Sequence, residues 1–146
     1  MTGATKQFLD TLSPAQAGKA RIGFDDGERA NWAYVPKDRR GVPLKDLNVS
    51  QRAMVHNILK SVLSENGHRK VENIISLEAV LFALEGAEHR DVELYYFSIF
   101  GDPGVKASWG WRFEGHHLSL NVTVANGKIL ATAPNFWGAN PAEVRK

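Results

Sequence analysis

No cysteine occurs among the 146 residues, which excludes disulfides, thiol nucleophiles and thiolate metal sites. No apolar run reaches membrane-spanning length, so no membrane partner is expected. Residues 1–10 lack the apolar core of a signal peptide, and a cytoplasmic location is the expectation. Without such a signal, the glycosylation patterns at Asn48-Val-Ser50 and Asn121-Val-Thr123 read as chance. Charge of one sign is also scarce. The net charge is +2, and the basic group Lys37, Arg39, Arg40 and Lys45 is interrupted by Asp38 and Asp46. A nucleic-acid groove needs a denser basic patch, so no nucleic-acid partner is expected. The glycines at 101–104 and 110 lack the strand–loop–helix setting of a phosphate cradle, and no His-Glu-x-x-His pair or internal repeat occurs.

What remains is ordinary globular composition, 43% hydrophobic and 23% charged, which fits one domain over residues 1–146 with a real core. Residues 4–20 read as one or two short helices, with Ser13-Pro14-Ala15-Gln16 as a capped start. Residues 21–47 are turn-rich; Trp32-Ala-Tyr-Val35 is the one strand-like run, and the segment either wraps the core or lids a site. Asn48 caps a helix expected to run to about Asn66, ended by Gly67, with Val55, Ile58, Leu59 and Val62 as its buried stripe. His56 falls on the opposite side and reads as solvated; His68 and His89 read as surface residues of polar connectors. A second helix spans about 71–84, and 94–100 is apolar on both parities, as in a strand covered on both faces. Asn126-Gly127 is a hairpin signal that sets Thr132 opposite Asn121, and 134–141 reads as loop. Helices first and a meander after make an α+β domain, N-terminal helices packed on an antiparallel β-meander.

The chain is organised around 109–124. Trp109, Trp111 and Phe113 are odd-numbered, whereas Leu118, Leu120, Val122 and Val124 are even. Side chains alternate along a strand, so one unbroken strand would split these sets between faces. A two-residue turn or a bulge at Glu114-Gly115 restores the phase. It places Arg112 opposite His117 and Gly110 opposite Ser119. Arg112, His117, Ser119 and Asn121 then share a polar face, the candidate site, with Glu114 beside it. His116 falls on the aromatic side as a core histidine. In this frame Arg112 would hold an anionic group, His117 would ligate a metal or move protons, and Asn121 would orient the ligand. His117 with Asn121, Glu114 and a helical Glu would suit a divalent transition metal such as zinc, iron or manganese. Adjacent strand residues point apart, so His116 and His117 together make a poor chelate. Ser119 and His117, about 6.6 Å apart along a strand, make a poor nucleophile–base pair.

Glu78 breaks the pattern around it. Val71, Ile74, Ile75, Leu81 and Phe82 fall on one side of the second helix, and Glu78 lies in the middle of them. A carboxylate among aliphatics must find a cation, a donor or a proton. Its expected partner is Arg112, Arg90 or His117, and its role is either a general acid or base, or a structural one, satisfied by an Arg or by backbone amides.

The run Trp111-Arg112-x-Glu114-Gly-His-His-Leu-Ser-Leu-Asn121, followed by Gly138-Ala-Asn-Pro141, resembles the bacterial family catalogued as domain of unknown function 3500. The segment 24–35 before Pro36, Gly41-x-Pro-Leu44, Ser76-Leu-Glu78 and Arg90-Asp-x-Glu-x-Tyr-Tyr96 extend that resemblance over most of the chain. The resemblance brings no settled activity. It implies members about twice this length, whose second half carries its own Asp/Asn/His-rich strand, so that this chain corresponds to an N-terminal portion. Two functions follow from the sequence. One is a small-molecule enzyme, metal-assisted or not, with Arg112, His117 and Glu78 in the reaction and Ser119, Asn121 and Glu114 binding the ligand. The other is a non-catalytic ligand-binding or assembly domain, completed by self-association or by a C-terminal half.

Overall fold

The computed structural model describes residues 1–144. The described residues form four helices and a mixed, mostly antiparallel sheet, the expected α+β arrangement. The helices are α1 (Thr2–Asp10), α2 (Pro14–Ala20), α3 (Val49–Lys60) and α4 (Glu65–Glu85). The strands are β1 (Arg21–Ile22), β2 (Val42–Pro43), β3 (Tyr96–Phe100), β4 (Trp109–Gly115), β5 (Leu118–Ala125), β6 (Lys128–Ala131) and β7 (Asn135–Trp137). No helix among the described residues is long and apolar enough to cross a membrane.

Capping chemistry explains the helix starts. Ser13 and Asn48 each accept from the backbone N–H three residues on, and Gln16 and Gln51 return a hydrogen bond to the cap. The single break expected near Gly67 sits earlier. α3 stops at Lys60, and Ser64 caps α4 through the Gly67 N–H, so Gly67 lies inside the first turn instead of ending a helix. Gly86 at φ 67° closes α4 in the left-handed conformation that glycine adopts without a Cβ penalty.

Antiparallel β3–β4–β5–β6 is the sheet's spine. β1 runs parallel on β3, β2 takes the rest of the same edge, and β7 lies on β5 beside β6. Odd residues of β3 and β4 and even residues of β5 face the helices. Phe97, Trp111, Phe113, Leu120 and Val122 pack there with Phe8, Val55, Ile58 and Val71. Phe8 meets Phe97 edge-on at 5.6 Å between centroids, and the Trp111 indole N–H reaches the Met1 sulfur at 3.4 Å. The other face of β4 is also buried, so the strand has no solvated side. It is covered by the segment 23–40, which runs mostly without regular structure. Trp32-Ala-Tyr-Val35 forms no strand; its carbonyls serve a side chain and a turn instead of a ladder.

Three register details differ from expectation. The β4–β5 turn is His116-His117, not Glu114-Gly115, with Gly115 opposite Leu118, Glu114 opposite Ser119 and Arg112 opposite Asn121. Moving a turn by two residues preserves parity, so the apolar face is unchanged. Asn126 and Gly127, both at positive φ, make the β5–β6 turn, but a bulge between Thr123 and Val124 shifts the ladder. Thr132 therefore does not face Asn121. The supposed loop 135–137 supplies β7 instead, pairing with 118–120 of β5.

Candidate functional site

Arg112, Glu114, Ser119 and Asn121 do share one face, and all four are buried. The strap covers them. Arg112 is fully buried; its Nη1 donates to the Glu28 carbonyl at 2.8 Å, and its Nη2 pairs with the Glu28 carboxylate at 2.5 Å. Its Nε lies 2.9 Å from a Glu114 oxygen, off the line of a hydrogen bond. The second Glu114 oxygen accepts from the Ala33 N–H at 3.0 Å and the Ser119 hydroxyl at 3.4 Å. Asn121 donates to the Ser119 hydroxyl at 3.1 Å and the Pro134 carbonyl at 2.8 Å. Arg39 completes the cover, donating to the carbonyls of Ala33, Val35 and Gly115. Burial pulls its guanidinium below the usual arginine range, with the Glu114 charge opposing. The protein itself takes up these groups, so their geometry is that of an internal ionic framework.

His117 is not on that face. It is a turn residue at φ 57°, its N–H donating to the Tyr34 carbonyl at 2.7 Å and its carbonyl accepting from Gly138 at 2.8 Å. Its ring is bounded by His116, Tyr34 and Phe136, and the latter two stack 4.0 Å apart. Its buried Nδ1 has no hydrogen-bond partner among the described residues. Burial first, then the neighbouring His116, lower its pKa from the ordinary histidine value, and the Ala139 backbone opposes. Among the described residues, no converging group of three His, Asp or Glu donors includes His117.

The turn placement makes His116 the central residue. It is buried and hydrogen-bonded as expected, but it lies in the turn and not on the aromatic face of a strand. Its Nδ1 contacts the Glu78 carboxylate and lies 3.3 Å from Nη1 of Arg90. Glu78 is 2% exposed, as its place in the apolar stripe requires, but its partner is His116 instead of Arg112, Arg90 or His117. Arg90 joins the cluster from the side, held by Glu85 at 2.8 Å, and that hydrogen bond keeps the Glu85 carboxyl below its usual range. The stripe drifts off the core beyond this point, for Leu81 is buried and Phe82 is 51% exposed.

Two features hold the turn. The Tyr95 hydroxyl donates to the His116 carbonyl at 2.9 Å. Burial, followed by the Glu78 charge, pushes the Tyr95 phenol well above its ordinary value, so it stays a donor. Gly115 lets the Tyr95 ring lie over the backbone, because a Cβ at 115 would overlap that ring. The Gly of Glu-Gly-His-His is therefore a close-approach position. Glu78, Tyr95 and His116 line a cleft of about 560 Å³ with Lys37, Arg39 and His89. That volume is ordinary for a small-molecule site. Asn121 lines a separate cavity of about 460 Å³ with Phe24, Arg29 and Pro134.

Set beside known families, the chain matches over residues 1–146 the model described as a protein of unknown function, DUF3500. It belongs to that family. No curated protein and no solved structure matches it. The family's Glu-Gly-His-His run, as it stands in this chain, divides between two tasks. Glu114 belongs to the ionic framework and Gly115 admits Tyr95, while the two histidines form the turn at the cleft.

Proposed function

We propose that this chain is a cytoplasmic bacterial enzyme acting on a small polar molecule by general acid–base catalysis, with His116 moving the proton and Glu78 holding it. The observation that carries the reading is the arrangement at His116, whose Nδ1 meets a buried carboxylate at the edge of a cleft. An ionised carboxylate only accepts, so the Glu78 contact puts a proton on Nδ1 and leaves Nε2 with the lone pair. Among the described residues nothing engages Nε2. A carboxylate behind an imidazole fixes its tautomer and stabilises the imidazolium formed when the base takes a proton. Lys37, Arg39 and Arg90 bring positive charge near the cleft and Asp38 and Asp91 bring negative charge, so the lining suits a polar substrate without selecting its sign. Arg112, Glu114, Ser119 and Asn121 act in this reading as the framework that sets the hairpin, not as groups that touch the substrate.

A panel of p-nitrophenyl carboxylate and phosphate esters, extended to small lactones, tests the reading. A turnover found there should fall about 10²- to 10⁴-fold in His116→Gln, the usual contribution of a positioned acid–base group. Full turnover in His116→Gln with the fold intact by circular dichroism would remove His116 from the reaction. An unreactive protein that binds small anions in the cleft would favour the alternative, a non-catalytic binding or assembly domain.

A further inference from the structure

His56 and His68 were expected to be unrelated surface histidines. The early end of α3 and the capped start of α4 at Ser64 turn the chain back on itself and bring the two together. His56 Nδ1 lies 3.0 Å from His68 Nε2, with the rings nearly perpendicular at 75°. Glu72 follows His68 by one helical turn on the same face, its carboxylate 3.5 Å from His68 Nδ1. One donor atom from each of the three residues falls within 4.8 Å of the others. No other set of three His, Asp or Glu residues converges this way among the described residues.

We propose that His56, His68 and Glu72 bind a divalent transition metal of the zinc class, joining α3 to α4 with a coordination position left open. Two imidazole nitrogens and one carboxylate oxygen form an N/O donor set suited to Zn²⁺, and three protein ligands leave room for water or an exogenous group. Metal–nitrogen bonds of about 2.0–2.1 Å at tetrahedral angles put ligand nitrogens about 3.3 Å apart. The observed 3.0 Å is therefore within a small rotation of a chelating bite. His68 is 5% exposed whereas Glu72 faces out, so the donors sit between a dry wall and an open side. That side is a cavity of about 520 Å³, also lined by Lys60, Glu65 and Arg69. Lys60 and Arg69 oppose a cation's charge, and the same positive groups would favour an anion on the open position. Glu72 and Glu78 are six residues apart on α4, about 9 Å along the axis. The metal would thus act on the helix pair and not on the His116 ring.

Untagged protein stripped with chelator and titrated with Zn²⁺ by calorimetry, and with Co²⁺ by visible absorption, tests the site. One equivalent should bind, with d–d bands of four- or five-coordinate N/O cobalt and a Zn²⁺-dependent rise in Tm. His56→Gln and His68→Gln should each weaken binding at least tenfold, and Glu72→Gln by about tenfold. His116→Gln and His117→Gln should bind as the parent does. Should His68→Gln fail to fold, the half-buried His56 and the exposed Glu72 variants decide the matter. Absence of stoichiometric binding would overturn the proposal, as would binding that survives His56→Gln with Glu72→Gln or that disappears in His116→Gln.

Discussion

Two buried ionic clusters hang on one hairpin, and they are built to different ends. On the face of β4, Arg112 is engaged by Glu28 and Glu114, Glu114 by Ala33 and Ser119, and Ser119 by Asn121. Each member bonds another under the strap of residues 23–40, and Asn121 also lines a cavity. At the hairpin's turn, Glu78 and His116 are also buried but sit at the wall of a cleft, with one imidazole nitrogen unclaimed among the described residues. Burying charge is costly in both places and is offset in the first by an ion pair for each charge, although the Arg112 Nε makes no hydrogen bond among the described residues. The second leaves unused bonding capacity beside open space, which is the arrangement chemistry needs. Conspicuous polar residues on a strand face can thus serve as framework, while the group we propose as reactive sits two residues away.

The largest effect expected of a single substitution lies in the framework. Arg112→Ala strands the Glu28 carboxylate without its cation, leaves Glu114 with Arg39 alone at 3.7 Å, and should cost about 3–5 kcal/mol in urea denaturation. A cost near zero would mean that the strap is loosely held and the contrast between clusters is false. Next in size, Gly115→Ala forces the Tyr95 ring off the backbone and should cost about 1–3 kcal/mol. The Tyr95–His116 hydrogen bond would be lost with it, visible as a shifted Tyr95 hydroxyl resonance. Glu78→Gln should be gentler on the fold, at about 1 kcal/mol, since an amide oxygen still accepts from Nδ1–H. Its larger effect should be on turnover, because the negative charge behind the imidazole is gone. Equal losses of stability in Arg112→Ala and Glu78→Gln would erase the distinction between framework and site.

The smallest effect is a pH slope. His117 has a lowered pKa in the fold, with Tyr34 and Phe136 against its ring and His116, Glu78, Arg90 and the Ala139 backbone as its charged and polar surroundings. The unfolded chain therefore binds the proton first, near 6.5, and stability falls as pH drops from there toward the lowered folded value. His117→Gln should flatten that part of the stability profile. An unchanged slope would place the ring in water.

Much of the fold was legible where the cause was local. The Ser13 and Asn48 capping boxes, the Asn126-Gly127 turn and the burial of Glu78 each rest on residues a few positions apart. The parity slip between Trp111 and Leu118 predicted the hairpin and its faces. It could not place the turn, because a shift by two residues leaves every residue that stays in a strand on the same face and moves only His116 and His117. Glu-Gly looked the better turn, and only Tyr95, twenty residues away, shows why that glycine stays in the strand. The strap was harder to read, since its backbone is held by Arg39, Glu114 and His117 and by no pattern of its own. β1 and β2 are two-residue strands that exist only against β3. The His56–His68 pair stayed hidden behind the misplaced helix end, for which Ser64 was the overlooked signal.

The central claim is that His116 presents a lone pair at Nε2 because Glu78 holds the proton on Nδ1. Arg90 competes for the same nitrogen, since a guanidinium can only donate. Long-range ¹H–¹⁵N correlation spectra of the imidazoles separate the two cases directly. The account predicts the Nδ1–H tautomer for neutral His116, with Nε2 at the shift of an unprotonated nitrogen, and a mixture of tautomers in Glu78→Gln. A neutral His116 protonated on Nε2, its Nδ1 accepting from Arg90, would contradict it.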